Sequence, residues 1–112
     1  MTADEFRELA LALPEAEERS HMNHPDFRVK GKIFATLDAN NEWGMVKLST
    51  EDQALFSRTD PATFEPFPGG WAKFGCTKVM LPTADEPAVR QALLAAWRRT
   101  APKTMHHLLE GE

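Results

Sequence analysis

The N-terminal segment has the hydrophobic periodicity of an amphipathic helix. Thr2 and Glu5 have the spacing of a capping box, in which each side chain accepts a hydrogen bond from a backbone N–H at the start of a helix. Pro14 ends the pattern because the residue before a proline avoids the α region. The spacing therefore predicts a helix over residues 3–12. Its apolar stripe consists of Phe6, Leu9, Ala10 and Leu13.

The next third of the chain changes to the two-residue alternation that is typical of half-buried strands. Gly31 occupies a tight-turn position between two such stretches and predicts a hairpin. Short turns between successive strands favour an antiparallel meander. The predicted segments are a weak edge strand over 15–22, a turn over 23–25, and strands over 26–30, 32–38 and 43–48.

The rest of the chain mixes helical and strand signals. Thr50 with Gln53, and Thr83 with Glu86, each have the capping-box spacing that opens a helix. Pro102 ends or kinks the last helix. The predicted segments are a helix from residue 50 to about 57, an edge strand over 63–67, a loop over 68–70, a strand over 73–81, the last helix, and a short tail over 103–112.

Strands clustered between helices predict an α+β fold rather than alternating α/β units. We expect an antiparallel β-sheet packed against N-terminal, middle and C-terminal helices. The chain has 112 residues, no internal repeat and no linker-like stretch, so it predicts a single domain over 1–112.

Composition narrows the functional classes. The N-terminus lacks the basic start and apolar run of a secretory signal, and no stretch is apolar enough to span a membrane, so we expect a cytoplasmic protein without a membrane partner. Cys76 is the one cysteine, which excludes an internal disulfide and cysteine-rich zinc sites. The net charge of −4 argues against strong binding to nucleic acids.

Basic side chains nevertheless lie in phase along the predicted strands. Alternation predicts that Arg28 and Lys30 share one face, and that Lys47 and Lys78 point away from their apolar neighbours. If the apolar residues face the helices, these charges gather on the outer face of the sheet, a surface typical of nucleic-acid binding. Simple solvation of a half-buried sheet also explains the pattern. The candidate set is Arg28, Lys30, Lys32, Lys47, Lys73 and Lys78.

A second candidate site is the aromatic loop over residues 67–74. Its aromatic side chains surround glycine and proline residues, which suits a surface that binds a protein or a small ligand. The candidate residues are His24, Phe67, Trp71 and Phe74.

Signals for catalysis are sparse. The sequence has no phosphate loop, nucleophile elbow or HExxH motif, and we expect neither a metal nor another cofactor. His21 and His24, with Cys76 or Asp26, could supply metal ligands only if they converge. An enzyme would require a set such as His24, Asp26 and Cys76 within hydrogen-bond reach. A buried, inert Cys76 thiol is the preferred interpretation.

Several of these segments together resemble the MmcQ/YjbR-like family. The resemblance is carried by residues 24–37 (HPDFRVKGKIFATL), by Val46-Lys47-Leu48, by Phe67-Pro68 leading to Trp71, and by residues 96–103 (AWRRTAPK). It extends from the first helix to Lys103. It implies a CyaY-like α/β sandwich, a bacterial cytoplasmic protein and DNA binding, and it brings no established enzymatic activity.

The leading hypothesis is therefore a non-enzymatic DNA-binding protein that uses the basic outer face of the sheet. The alternative is a protein- or small-ligand-interaction module that acts through the aromatic loop. We expect a monomer or a weak dimer.

Overall fold

The computed structural model of this protein describes residues 1–109. These residues form three α-helices, six β-strands and three short 3-10 segments. The helices are α1 (Ala3–Leu11), α2 (Thr50–Thr59) and α3 (Glu86–Thr100). The strands are β1 (Glu17–His21), β2 (His24–Val29), β3 (Lys32–Leu37), β4 (Trp43–Lys47), β5 (Phe64–Pro66) and β6 (Cys76–Met80). The 3-10 segments are Gly69–Phe74, Leu81–Thr83 and Lys103–Leu109.

The six strands form one antiparallel sheet in the order β1-β2-β3-β4-β6-β5. The predicted meander is confirmed over β1 to β4. After α2, the chain places β5 at the far edge and returns through β6, which pairs with both β4 and β5. Pro66 lies on the edge strand β5, where a missing N–H is tolerated.

One face of the sheet packs against α1 and α3 and forms the core. Phe6 of α1 and Trp97 of α3 are fully buried against this face, together with Phe27 of β2. The indole Nε1 of Trp97 donates a hydrogen bond to the carbonyl of Pro14 at 2.9 Å, so α3 is also tied to the chain after α1. Phe56 of α2 packs edge-on against Phe64 of β5, so α2 also contacts the sheet. The α+β fold predicted from the sequence is confirmed.

Helix starts differ from the predicted ones by one or two residues. The N-cap of α2 is Ser49 rather than Thr50, because the Ser49 hydroxyl accepts the N–H of Asp52. The N-cap of α3 is Asp85 rather than Thr83. The Thr83 hydroxyl instead donates to the carbonyl of Ala62 at 2.6 Å, within a 3-10 turn. Competing cap residues stand close together in both places, and tertiary contacts select among them.

Turns account for the other differences. The turn predicted over 23–25 lies at Met22 and Asn23, which both have positive φ, and β2 already begins at His24. The strand predicted over 73–81 is wrong at its start, because residues 69–74 form a 3-10 helix and β6 begins only at Cys76. The tail forms a 3-10 helix over Lys103–Leu109, and its last three residues lie outside the described part of the chain.

Candidate functional site

The face of the sheet that points away from α1 and α3, here called the outer face, carries an apolar groove of about 430 Å³. This outer groove runs over the middle strands and is closed on one side by the aromatic loop. Its apolar lining consists of Ile33, Trp43, Met45, Phe67, Trp71 and Cys76, and its polar lining consists of His21, His24, Thr36 and Lys47.

Strand alternation builds the floor of the groove. On β4, Gly44 and Val46 face the core, so Met45 and Lys47 face outward. Met45 pairs with Thr36 of β3 on one side and with Lys78 of β6 on the other. Gly44 has no room for a side chain, because an added Cβ would lie 2.9 Å from the Phe6 ring. Close packing against Phe6 on the core side therefore fixes the position of β4 beneath the groove.

The aromatic loop supplies one wall and is fixed by two hydrogen bonds from Gln53, one buried and one partly buried. The amide of Gln53 donates to the carbonyls of Ala72 and Cys76 at 3.1 and 3.0 Å. Phe67 packs edge-on against Trp43, with ring centroids 5.3 Å apart. Trp71 lines the groove while its surface remains 60% exposed. The wall is thus preformed, with one aromatic side chain open to solvent.

The structure divides the predicted aromatic-loop residues. Phe67, Trp71 and His24 all line the groove, with His24 contributed by β2. Phe74 is not among the lining residues and is 57% exposed, with the Lys73 ammonium 5.3 Å from its ring centroid.

A buried carboxylate lies next to the groove on β2. Both oxygens of Asp26 accept hydrogen bonds from the Arg28 guanidinium, and Asp26 Oδ2 lies 2.7 Å from His21 Nδ1. Asp26 is fully buried, whereas His21 is half exposed. The Arg28 hydrogen bonds, and secondarily that of His21, lower the pKa of Asp26 against the opposing effect of burial. This cluster keeps a negative charge in place on the outer face.

The predicted basic residues do not form one continuous face. Lys78 lies on the outer face, but its Nζ is 3.9 Å from Glu65 and 5.3 Å from the Trp43 ring centroid. The prediction that Lys30 shares a face with Arg28 is wrong, because Lys30 lies in the β2–β3 turn with a φ of 51°. Lys73 lies on the 3-10 helix rather than on a strand.

The remaining basic residues meet at a second cavity of about 420 Å³, here called the basic cleft. Arg28, Lys32 and Lys47 come from the sheet, and Arg99 comes from the last turn of α3. Ile33 and Lys47 line both the outer groove and the basic cleft, so the two cavities adjoin. The complete lining is Arg28, Gly31, Lys32, Ile33, Lys47, Arg99 and Thr100.

Cys76 is buried at the groove floor, as expected for an inert thiol. Burial raises the pKa of Cys76, and the nearby charges of Lys47 and Arg99 act in the opposite direction. His24 and Cys76 both line the groove, but residues 1–109 hold no cluster of three groups suited to bind a metal ion.

Sequence reasoning missed the apolar floor and one cation. The alternation that places Lys47 on the outer face also places Trp43 and Met45 there, so that signal was present in the sequence. Arg99 gave no comparable signal, because its place in the cleft lining depends on how α3 packs on the sheet.

Within residues 1–109, no helix has the length and apolar character needed to cross a membrane.

Comparisons with known proteins agree with this architecture. A crystal structure of the Deinococcus radiodurans protein DR2400, described as a DUF419 domain, superposes with a TM-score of 0.75 at 18% sequence identity. That match covers 97% of this chain and 88% of the other, and it shows a shared fold. No curated protein matches the sequence. The family model described as YjbR matches residues 11–99, and the chain therefore belongs to the YjbR family.

Proposed function

We propose that this protein is a binding module that takes a small, largely apolar or aromatic ligand into the outer groove. The observation that carries the proposal is the apolar lining on the side of the sheet away from the helices. In a two-layer protein of this kind, that face is ordinarily polar and solvated. Here Met45, Trp43 and Ile33 cover its centre.

Size and composition of the groove support a small molecule. Ligand pockets of roughly 300–1,000 Å³ are mostly apolar with a few polar groups that orient the ligand. The outer groove, at about 430 Å³, has six apolar and four polar lining residues. Its walls are braced by Gln53 and by the Trp43–Phe67 contact, so little ordering entropy is lost on binding.

A neutral fluorescent probe tests this proposal. N-phenyl-1-naphthylamine gains fluorescence in apolar surroundings and should bind saturably. Trp71→Ala should weaken binding roughly tenfold, because an aromatic pair contributes about 0.5–1.5 kcal/mol beyond its area burial. Phe74→Ala is the matched control, since Phe74 has similar exposure on the same 3-10 helix but does not line the groove. Absence of saturable binding, or equal losses in both variants, would overturn the proposal.

DNA binding is the second candidate function, and the basic cleft is the observation that favours it. Exposed Trp71 and the cations beside the groove provide the stacking and backbone contacts that single strands require. The net charge of −4 and the pairing of Arg28 and Lys78 with carboxylates weigh against high affinity.

Fluorescence anisotropy with labelled oligothymidine and with a duplex, titrated over salt, tests DNA binding. Lys47→Glu should lower affinity, while Lys30→Glu in the β2–β3 turn should have a smaller effect. Loss of detectable binding near ~100 mM salt, or equal effects of the two variants, would count against this candidate.

A further inference from the structure

The basic cleft gathers like charges without an opposite charge in its lining. Four of its seven lining residues are Arg or Lys, and none is acidic. Arg28 is already paired with Asp26. Lys32, Lys47 and Arg99 make no salt bridge within residues 1–109. Neighbouring cations repel one another, and a bound anion would relieve that repulsion.

A second observation in the same cleft is a polar group without a partner. The Thr100 hydroxyl is buried and has no hydrogen-bond partner in the described part of the chain. Buried polar groups are nearly always hydrogen-bonded, so the end of α3 beside the cleft has an unmet hydrogen-bonding group. Thr100 directly follows Arg99 at the end of α3, so both come from the same turn.

The shared lining connects this charge to the outer groove. Lys47 on β4 and Ile33 on β3 line both cavities, and they lie between the apolar floor at Met45 and the other cations of the cleft. A molecule that fills the groove can therefore extend a charged group past Lys47 toward the end of α3.

We infer that the natural ligand of the outer groove carries a compact oxyanion, a phosphate ester or a carboxylate, which binds in the basic cleft between Lys47 and Arg99. This inference rests on the proposed function and adds the chemical class of the ligand. Guanidinium groups bind both kinds of oxyanion through paired, charge-assisted hydrogen bonds.

Two probes that differ only in an anionic group test the inference. 8-Anilinonaphthalene-1-sulfonate is N-phenyl-1-naphthylamine with an added sulfonate. At low salt the sulfonate should improve affinity roughly tenfold, since hydrogen bonds to a charged group are stronger than neutral ones. Arg99→Gln should remove this advantage and leave the affinity of the neutral probe nearly unchanged, because Arg99 lies outside the outer-groove lining. Lys47→Gln should also remove the advantage. Arg98→Gln and Lys30→Gln are matched controls outside the cleft.

The outcomes separate the two proposals. If the neutral probe binds and the sulfonate adds nothing, the inference is wrong and the proposed function stands. If neither probe binds, the proposed function is wrong, and pyrophosphate titration followed by NMR then tests the cleft alone. If pyrophosphate binds and Arg99→Gln abolishes that binding, the anion site in the cleft is supported. If pyrophosphate does not bind, the anion site is overturned.

Competition identifies the oxyanion. Phenyl phosphate and benzoate, each displacing the sulfonate probe, distinguish a phosphate from a carboxylate, and either result supports the inference. Displacement by oligothymidine but by neither small anion would overturn it in favour of a nucleic-acid ligand. Thermal unfolding of each variant establishes that it is folded at the assay temperature.

Discussion

Asp26 and Arg28 lie two residues apart on β2, and both carboxylate oxygens accept hydrogen bonds from the guanidinium at 2.8 and 3.1 Å. The bulge between β2 and β3 begins at this point, and beyond it Arg28 pairs with Ile33 at the boundary between groove and cleft. The pair therefore fixes Arg28 as a structural cation. The charge left over for a ligand comes mainly from Lys32, Lys47 and Arg99.

The first prediction concerns the acid sensitivity of this pair. Asp26→Asn should lower the free energy of unfolding at pH 7 by about 2 kcal/mol, because a buried charge-assisted hydrogen bond is lost. The partners of Asp26 lower its pKa, so the stability from the carboxylate is present above about pH 4 and is lost as the pH falls through that lowered pKa. Urea unfolding at pH 7 and at pH 3 should show the difference between wild type and variant shrinking in acid.

Glu8→Gln provides the control for that measurement, since Glu8 is exposed and makes no salt bridge within residues 1–109. It should change stability by less than about 0.5 kcal/mol at both pH values. A difference between wild type and Asp26→Asn that stays constant with pH would show that the carboxylate charge is not what stabilises the pair.

The second prediction concerns the backbone that ends the aromatic loop. Gly75 has a φ of 86°, and an added Cβ would lie 1.7 Å from the carbonyl oxygen of Leu48. Gly75→Ala should cost about 3 kcal/mol or more, since backbone strain adds to a steric clash. Gly69→Ala isolates the strain, because φ is 80° there and nothing lies within 4 Å, so about 1–2 kcal/mol is expected. Similar losses for both variants in chemical denaturation would contradict the clash.

The local hydrophobic pattern was sufficient to predict the helices and strands in which that pattern repeats. The predicted strands and the stripes of α1 and α3 follow from periodicities of 2 and 3.6 residues, which tertiary contacts reinforce. The positions of turns and helix caps were harder to predict because neighbouring residues compete for the same role, as Ser49 does with Thr50. The position of β6 between β4 and β5 involves pairing between distant segments, and no local signal encodes it.

The same distinction applies to the candidate site. Phe67 and Trp71 were predicted because aromatic residues in loops suggest binding, and both line the outer groove together with His24 of β2. The prediction of a basic face is wrong at Lys30, because Lys30 has a positive φ and the strand alternation ends there. Arg99 joins Lys47 in the lining of the basic cleft only through the packing of α3 on the sheet, so its part in the cleft could not be predicted from the sequence.

The third prediction uses Cys76 as a reporter of groove occupancy. The thiol is buried and its pKa is raised mainly by that burial, so the reactive thiolate is scarce at neutral pH. Alkylation of native protein at pH 8 should be at least roughly tenfold slower than in urea, and it should accelerate as the pH increases. Mass spectrometry gives an unambiguous readout, because the chain has no other cysteine.

Saturation with N-phenyl-1-naphthylamine should slow that alkylation further, since Cys76 lines the outer groove. Phe74→Ala should retain this protection, because Phe74 is outside the groove lining. Rapid modification of the native thiol at pH 8, or protection that does not depend on probe concentration, would contradict the assignment of Cys76 to the groove floor.

The fourth prediction concerns the support of the aromatic wall from behind. Gln53 on α2 is buried, and its amide donates to the carbonyls of Ala72 and Cys76. Gln53→Met keeps a similar volume but leaves both carbonyls without this donor, so the free energy of unfolding should fall by about 1–3 kcal/mol. The 3-10 helix that carries Trp71 also loses a fixed point, so affinity for N-phenyl-1-naphthylamine should fall as well.

Gln91→Met is the matched control, because Gln91 lies exposed on α3 and the same substitution there removes no buried hydrogen bond. It should change both stability and probe affinity little. If Gln53→Met lowers stability while probe affinity stays at the wild-type value, the wall does not depend on this amide for its shape. Loss of both, with Gln91→Met unaffected, would link the packing of α2 directly to the geometry of the groove.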